Sequence, residues 1–253
     1  MAKIYTIASG KGGVGKTTTA VNLGAALNKF KEDVIIVDAN LTTPNLGLYF
    51  GAPIVPVSLN HVLQGKAEIE EAIYEHESGT KLVPSSLSLR DLKKINPELM
   101  KEASKKLKRI SEHIIFDSAA GLGEEARTAL EAADEVIIVT NPDILSVTDA
   151  LKTIKLAEEL NKQIRGVIIN RVKNIKTEMP LDNIKDMLEV PILGIVPEDK
   201  AIQEALARKN AVIHTKPRSK AAKAYMDVAA KLLGKQKKPL SFYEKILEVI
   251  GLG

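Results

Sequence analysis

The chain has 253 residues, 45% of them hydrophobic and 27% charged, with a net charge of +4, enough for one substantial α/β core. The absence of cysteine excludes disulfides, thiolate metal sites and thiol nucleophiles together, and four unclustered histidines make a zinc site unexpected. No apolar run approaches the roughly eighteen residues of a membrane span, and the 4% aromatic content gives little material for stacking single-stranded bases.

The chain begins with a short strand and then a glycine-rich loop rather than an export signal, so a cytoplasmic protein is expected. Short Val/Ile runs follow at intervals: 4–8, 34–37, 81–83, 114–116, 136–139, 167–169, 192–196 and 211–213. They are continuously apolar instead of alternating, the pattern of strands buried on both faces. Helical stretches separate them at 17–30, 97–110, 146–160 and 181–188, with a late Ala/Lys-rich helix at 219–233. Pro97 suits a first helical turn. The expected fold is α/β, a mostly parallel twisted sheet of about eight strands flanked by helices. Residues 1–233 form the expected domain, 234–240 a basic linker, and 241–253 a short apolar tail.

The sharpest chemical signal follows the first strand. Gly10-Lys11-Gly12-Gly13-Val14-Gly15-Lys16-Thr17 fits G-x-x-x-x-G-K-[ST] and opens a helix whose expected packing face is Ala20, Val21, Gly24 and Leu27. Glycines let successive amides converge on phosphate oxygens without a Cβ in the way, and the helix N-terminus adds partial positive charge. Lys16 is positioned for the β- and γ-phosphates and Thr17 for Mg²⁺. Asp38 and Asp117 each follow a buried apolar run, and the carboxyl ends of such strands form the ligand edge of an open sheet. Both are candidate Mg²⁺ partners, directly or through water; Asp also favours helix caps and loops.

With Thr18, the loop resembles the deviant Walker A motif of the MinD/ParA ATPases, which carry an additional early lysine. Val37-Asp38 with Asn45-Leu46, Asp117-Ser118-Ala119-Ala120-Gly121, Val139-Thr140-Asn141-Pro142, Asn170-Arg171 and Val196-Pro197-Glu198-Asp199 follow in the family's order, and the Thr-Asn-Pro and Asn-Arg signatures look more like MinD than ParA. The resemblance implies an ATPase binding ATP or ADP with Mg²⁺. It implies that Gly12, Gly13, Val14, Gly15, Lys16, Thr17 and Thr18 hold the phosphates, and that Asn170 and Arg171 with Pro197, Glu198 and Asp199 border the adenine. Lys11 would cross to the partner's phosphates in an ATP-dependent homodimer. Asp38 would belong to a first switch loop and Asp117 to a second. The family has a second acid two positions after Asp38, credited with orienting the attacking water; here that position is Asn40. An amide accepts a hydrogen bond from water but carries no negative charge, so slow hydrolysis is expected.

In the tail, Ser241 and Glu244 fit a capping box. Phe242, Ile246, Val249 and Ile250 share one helical face, while Glu244, Lys245 and Glu248 take the other. Five lysines and two glutamates lie between Lys231 and Gly253. By resemblance to MinD this segment makes a peripheral contact with the inner membrane face; its alternative is docking on protein. Two tails joined in a dimer would bind a bilayer far more tightly than one. The partners implied are the homodimer, the membrane and a regulator or cargo protein of unknown identity. A ParA-like DNA-segregation ATPase is the alternative, supported by Lys220, Lys223 and Lys231 on the late helix. An iron–sulfur carrier is excluded by the missing cysteines. Single-turnover ATP hydrolysis is expected to be on the order of tenfold faster in Asn40→Asp than in the native chain; equal rates would remove any role for Asn40 in slowing the reaction.

Overall fold

The computed structural model describes residues 2–92, 96 and 98–235. The Val/Ile runs assemble into one eight-stranded sheet in the order β3-β4-β2-β5-β1-β6-β7-β8. Its strands are β1 (Lys3–Ala8), β2 (Val34–Ala39), β3 (Tyr74–Glu75), β4 (Lys81–Val83), β5 (His113–Ser118), β6 (Glu135–Thr140), β7 (Gln163–Val172) and β8 (Ile192–Pro197). Every pairing is parallel except β3 with β4. Strand β1 lies between β5 and β6, so the chain winds outward from it in both directions. The carboxyl end of β1 is therefore a switch point, where ligands bind in open α/β sheets.

Because successive strand residues face opposite sides, continuous apolar runs fill two helical layers at once. Tyr5, Ile7, Ile36, Ile115, Ile137 and Ile168 pack on one side with α1 (Lys16–Lys29), α8 (Lys200–Ala207), α9 (Val212–Thr215) and α10 (Lys220–Leu232). Ile4, Ile35, Val37, Ile114 and Phe116 face the other way with α3 (Leu59–Leu63), α4 (Glu98–Ile110) and α5 (Glu124–Ala132). Val136, Ile138, Val167 and Ile169 complete that side with α6 (Ile144–Glu159) and α7 (Leu181–Leu188). The remaining helix, α2 (Leu46–Tyr49), follows the loop after β2. Helix α1 is buried almost all round, from Thr19 to Leu27, not along one face as the sequence pattern implied, because α10 covers the side turned away from the sheet. At Gly24 a Cβ would sit 2.6 Å from Ile36 Cδ1, which sets how closely α1 approaches the sheet.

One expected strand is corrected. Residues 211–213 are not a strand: Ala211 precedes α9, and the run is apolar because Ala211, Val212 and Ile213 are all buried against α1 and α10. A short apolar run does not distinguish a strand from a buried helical turn. The eighth strand is instead β3, two residues paired antiparallel at the sheet edge, too short and polar to register as a pattern. Helices α5 and α8 were also not anticipated. Pro97 and the tail 241–253 lie outside the described residues, as does the proposed linker beyond Lys235.

A buried amide fixes α9 in place. Asn22 Oδ1 accepts from Val212 N at 2.7 Å, while its Nδ2 donates to Thr18 O at 2.8 Å and reaches Tyr49 Oη at 3.4 Å. Asn22→Ala leaves the Val212 amide buried without a partner and is expected to cost about 2–4 kcal/mol of unfolding free energy. Denaturant titration checks this; a change below about 0.5 kcal/mol would mean the amide finds water.

Candidate functional site

The glycine-rich loop leaves the carboxyl end of β1 and turns into α1 through Gly13 at φ 79° and Gly15 at φ 104°, conformations glycine adopts without strain. Two close approaches explain why these positions carry no side chain. A Cβ on Gly10 would lie 2.3 Å from the carbonyl oxygen of Asp149 in α6, and one on Gly15 would lie 2.3 Å from Asn170 Nδ2. Helix α1 has no side-chain cap, whereas α6, α8 and α10 are capped by Asp143, Asp199 and Ser219. Its first-turn amides thus face the loop as donors for an anion. Lys16 is buried and donates from Nζ to Ser9 Oγ at 2.9 Å; that hydroxyl donates to Lys11 O at 2.8 Å. Burial lowers the Lys16 pKa, and the Asp117 carboxylate opposes the shift.

The two acids stand side by side. Asp38 of β2 and Asp117 of β5 are register partners on adjacent strands, and both are buried. Burial, and then the neighbouring Asp117, raise the Asp38 pKa well above the usual carboxylate value, against amide hydrogen bonds that lower it. Those amides are Leu46 N at 2.9 Å, Asn45 N at 3.0 Å and Asn40 N at 3.3 Å. Asp38 thereby organises the loop between β2 and α2. Asp117 differs: neither carboxyl oxygen has a hydrogen-bond partner among the described residues. Burial pushes its pKa up to about 6, with the nearby Thr17 hydroxyl and Lys16 ammonium holding it down.

A buried carboxylate left unpartnered beside a threonine hydroxyl fits a hard cation. Among the described residues no group of three or more His, Cys, Asp or Glu gathers around one point. A Mg²⁺ ion here would take Thr17 as a protein ligand, with Asp117 facing it and the remaining ligands from phosphate and water, which is how Mg²⁺ is commonly held. Bound there, it would neutralise charge on the phosphates.

Asn40 is occupied within its own loop. Its Nδ2 donates to Thr43 O at 2.7 Å, and its Oδ1 accepts from Thr43 N at 3.2 Å and Thr43 Oγ1 at 3.1 Å. Two residues after Asn40, Thr42 donates from N and Oγ1 to the two carboxylate oxygens of Glu125, at 2.8 and 2.9 Å. This tie joins the loop after β2 to α5, the helix that follows the Asp117 loop. Gly121 in that second loop donates back to Ser9 O at 3.0 Å. Thr42, Glu125 and Ser9 were not singled out by sequence, since nothing local to each announces a long-range partner.

Beside the loop, a cavity of about 200 Å³ is lined by Thr18, expected on the phosphates, and by Asn170, Arg171, Pro197, Glu198 and Asp199, the five residues expected around a base. Ile202, Gln203 and Tyr225 complete it and were missed, although the first two lie one turn past the Pro-Glu-Asp run. Asn170 Nδ2 donates to Val14 O at 2.8 Å, so this side chain buttresses the phosphate loop from the base side. Both Asp199 oxygens act as caps, accepting from Ala201 N at 2.9 Å and Ala221 N at 3.1 Å; its part in the cavity is to fix the loop between β8 and α8. Lys11 is exposed at the rim. Burial opposes ionisation of nearby Asp143, but hydrogen bonds from Ser146 and the charge of Lys11 hold its carboxyl below the usual value.

A mostly parallel sheet with this loop at its switch point, an uncapped helix behind it and an unpartnered acid beside the threonine define a P-loop nucleoside triphosphatase. The sequence matches the CobQ/CobB/MinD/ParA nucleotide binding domain over residues 5–212, and the chain belongs to that family. It is 42% identical to an uncharacterised ATP-binding protein of Methanocaldococcus jannaschii, over 98% of this chain and 96% of that protein. Its fold superposes on the cell division ATPase MinD of Pyrococcus furiosus with a TM-score of 0.89 and 34% identity, covering 93% of this chain and all of that one. The septum site-determining protein MinD of Pyrococcus horikoshii, complexed with Mg-ADP, gives 0.88 and 34%, covering 94% and 100%. The chain is a MinD/ParA-type ATPase.

Asp117→Asn removes a buried charge beside Asp38. Without nucleotide the variant is expected to melt about 2–5 °C higher than the native protein. The extra stabilisation that Mg²⁺ adds to ADP should disappear. Thermal melts with ADP, with and without Mg²⁺, check both; an undiminished Mg²⁺ increment would detach Asp117 from the metal.

Proposed function

We propose that the chain is an ATP-operated association switch of the MinD kind. Mg·ATP occupies the loop Gly10–Thr17, with Lys16 on the β- and γ-phosphates and the base in the cavity beside Asn170. With Asn170 Nδ2 committed to Val14 O, its carbonyl oxygen is the group left for the base. That oxygen accepts from the exocyclic amine of adenine and has no donor to meet in the O6 of guanine.

The observation that carries the switch is an apolar rim around the phosphate loop. Leu122 is 46% exposed, Ile144 57% and Leu145 65%. They flank the loop because the segment carrying Leu122 is tied to Ser9 through Gly121, and α6 meets the loop at Gly10. Exposed aliphatic side chains beside a protruding lysine suit a surface covered by a second copy. Lys11 then reaches the partner's triphosphate, so the interface forms only when the γ-phosphate is present. Asn40, tied to Thr43 and lacking a negative charge, leaves hydrolysis slow and the dimer long-lived.

The dimer brings two C-terminal segments 241–253 together, and their joint insertion holds the protein at the inner face of the membrane, where it positions a regulator or cargo. Among the described residues no helix is long and apolar enough to cross a bilayer.

Sedimentation with anionic vesicles, and in parallel with duplex DNA, tests the reading. With ATP but not ADP the native chain should dimerise and pellet with vesicles. Lys11→Ala should fail at dimerisation, and deletion of 241–253 should lose vesicles while keeping the dimer. Avidity predicts a difference on the order of a hundredfold between ATP and ADP. Salt-sensitive pelleting with DNA alone would favour the DNA-segregation alternative.

A further inference from the structure

Strands β2 and β5 lie side by side and pair in register as far as Asp38 with Asp117 and Ala39 with Ser118. Past those residues the chain makes two neighbouring loops, 40–45 after β2 and 119–123 after β5, the second leading into α5. The first loop is secured largely from within its own strand end. Asn40 and Thr43 bond to each other through side chain and backbone, and Asp38 holds the amides of Asn40, Asn45 and Leu46. The second loop is loosely packed: a Cβ placed on Gly121 or Gly123 would have nothing within 4 Å, and Leu122 between them is exposed.

Glu125, in the first turn of α5, fastens the two loops together. Its carboxylate oxygens accept from Thr42 N and Oγ1, so the tie uses both donors of one residue and both oxygens of the other. Hydrogen bonds to a carboxylate are stronger than those between neutral groups, and two points of attachment fix direction as well as distance. Among the described residues the pair forms part of the wall of a cavity of about 220 Å³, lined also by Leu41, Leu63, Leu92 and Met100. Thr42 therefore stands over space, held by hydrogen bonds rather than by packing.

We infer that Glu125 is a positioning residue for ATP hydrolysis, acting through Thr42 to hold the loop 40–45 beside the γ-phosphate. Thr17 and the unpartnered Asp117 face the place for Mg²⁺, and in phosphoryl-transfer sites such an ion contacts β- and γ-phosphate oxygens. The γ-phosphate end of the site is thus the side of Asp117, and the loop that starts at Asp117's register partner is its neighbour there. The ties close a ring around that place. Gly121 N donates to Ser9 O of the phosphate loop at 3.0 Å, the same segment continues into α5, Glu125 grips Thr42, and Asp38 returns the loop to the sheet next to Asp117. A loop fastened only at its ends samples many positions, and hydrolysis is sensitive to small misplacements of the groups around the reacting atoms. The clasp removes that freedom without itself touching nucleotide. Only ATPase activity is needed for this; dimerisation and membrane contact can fail without affecting it.

Three variants grade the tie. Thr42→Ser keeps both donors, Thr42→Val keeps the amide alone, and Glu125→Ala removes the acceptor. In the nucleotide-free full-length chain, hydrogen exchange of a peptide spanning 40–45 should rise on the order of tenfold in Glu125→Ala and stay at the native level in Thr42→Ser. Single-turnover ATP hydrolysis should slow on the order of tenfold in Glu125→Ala, less in Thr42→Val, and remain native in Thr42→Ser. The Kd for Mg·ADP should stay within about twofold of native in all three, because the clasp places a loop for the reaction and does not hold the nucleotide. Exchange in β5 and β6, read in the same run, shows that each variant is folded; should Glu125→Ala not fold, Thr42→Val carries the same comparison. An unchanged or faster hydrolysis in the clasp variants, unaltered exchange at 40–45, a Thr42→Ser as slow as Glu125→Ala, or a loss of ADP affinity equal to the loss of rate would each overturn the assignment. None of these outcomes bears on vesicle binding or on Lys11→Ala, so the two ideas fall separately.

Discussion

Anion binding by main-chain amides governs the organisation of this molecule. An uncapped helix behind a glycine loop is an incomplete structure: its first-turn donors have no side-chain acceptor, and the surrounding protein holds the loop open instead of satisfying it. Asn170 props the loop at Val14, α6 abuts it at Gly10, and Gly121 of the loop after β5 ties to Ser9. Each support comes from a different strand end, which explains why the site lies at the point where the sheet's winding reverses.

Around that loop the acids divide labour through their hydrogen bonds. Asp38 and Asp117 have the same residue type, depth and register, yet one receives three backbone amides and the other none. Asp38 is consequently a structural anchor for its loop, while Asp117 retains its full capacity for a cation. Glu125 adds a mechanical link, since its grip on Thr42 prevents the loops after β2 and β5 from rearranging independently. A γ-phosphate that moved either loop would have to move both.

The sequence carried most of the architecture because buried parallel strands are written as unbroken Val/Ile runs, and seven of the eight lay where such runs predicted. The error at 211–213 came from the same signal: Val212 and Ile213 are buried like strand residues, and their helical turn shows in Thr215 N to Ala211 O at 3.1 Å and Lys216 N to Val212 O at 2.9 Å, with Val212 N held by the distant Asn22. At the site, local motifs named the glycine-rich loop, both acids and the five residues 170, 171 and 197–199 that the structure gathers into one cavity beside it. What stayed hidden was pairing over distance. The Thr42–Glu125 tie and the use of Asn170 as a prop for Val14 depend on which strand ends meet, and no window of sequence contains that. The role of Asp199 as a double cap was hidden for the same reason, because Ala221 reaches it only once α10 has packed against β8.

The contact between Gly10 and Asp149 leaves no room for slack: even one methyl group at Gly10 would collide with the helix backbone. Helix α6 and the phosphate cradle therefore behave as one rigid piece. Ile144 and Leu145 stand on the outer end of that piece, so any protein that seizes them holds a lever whose short arm is the nucleotide.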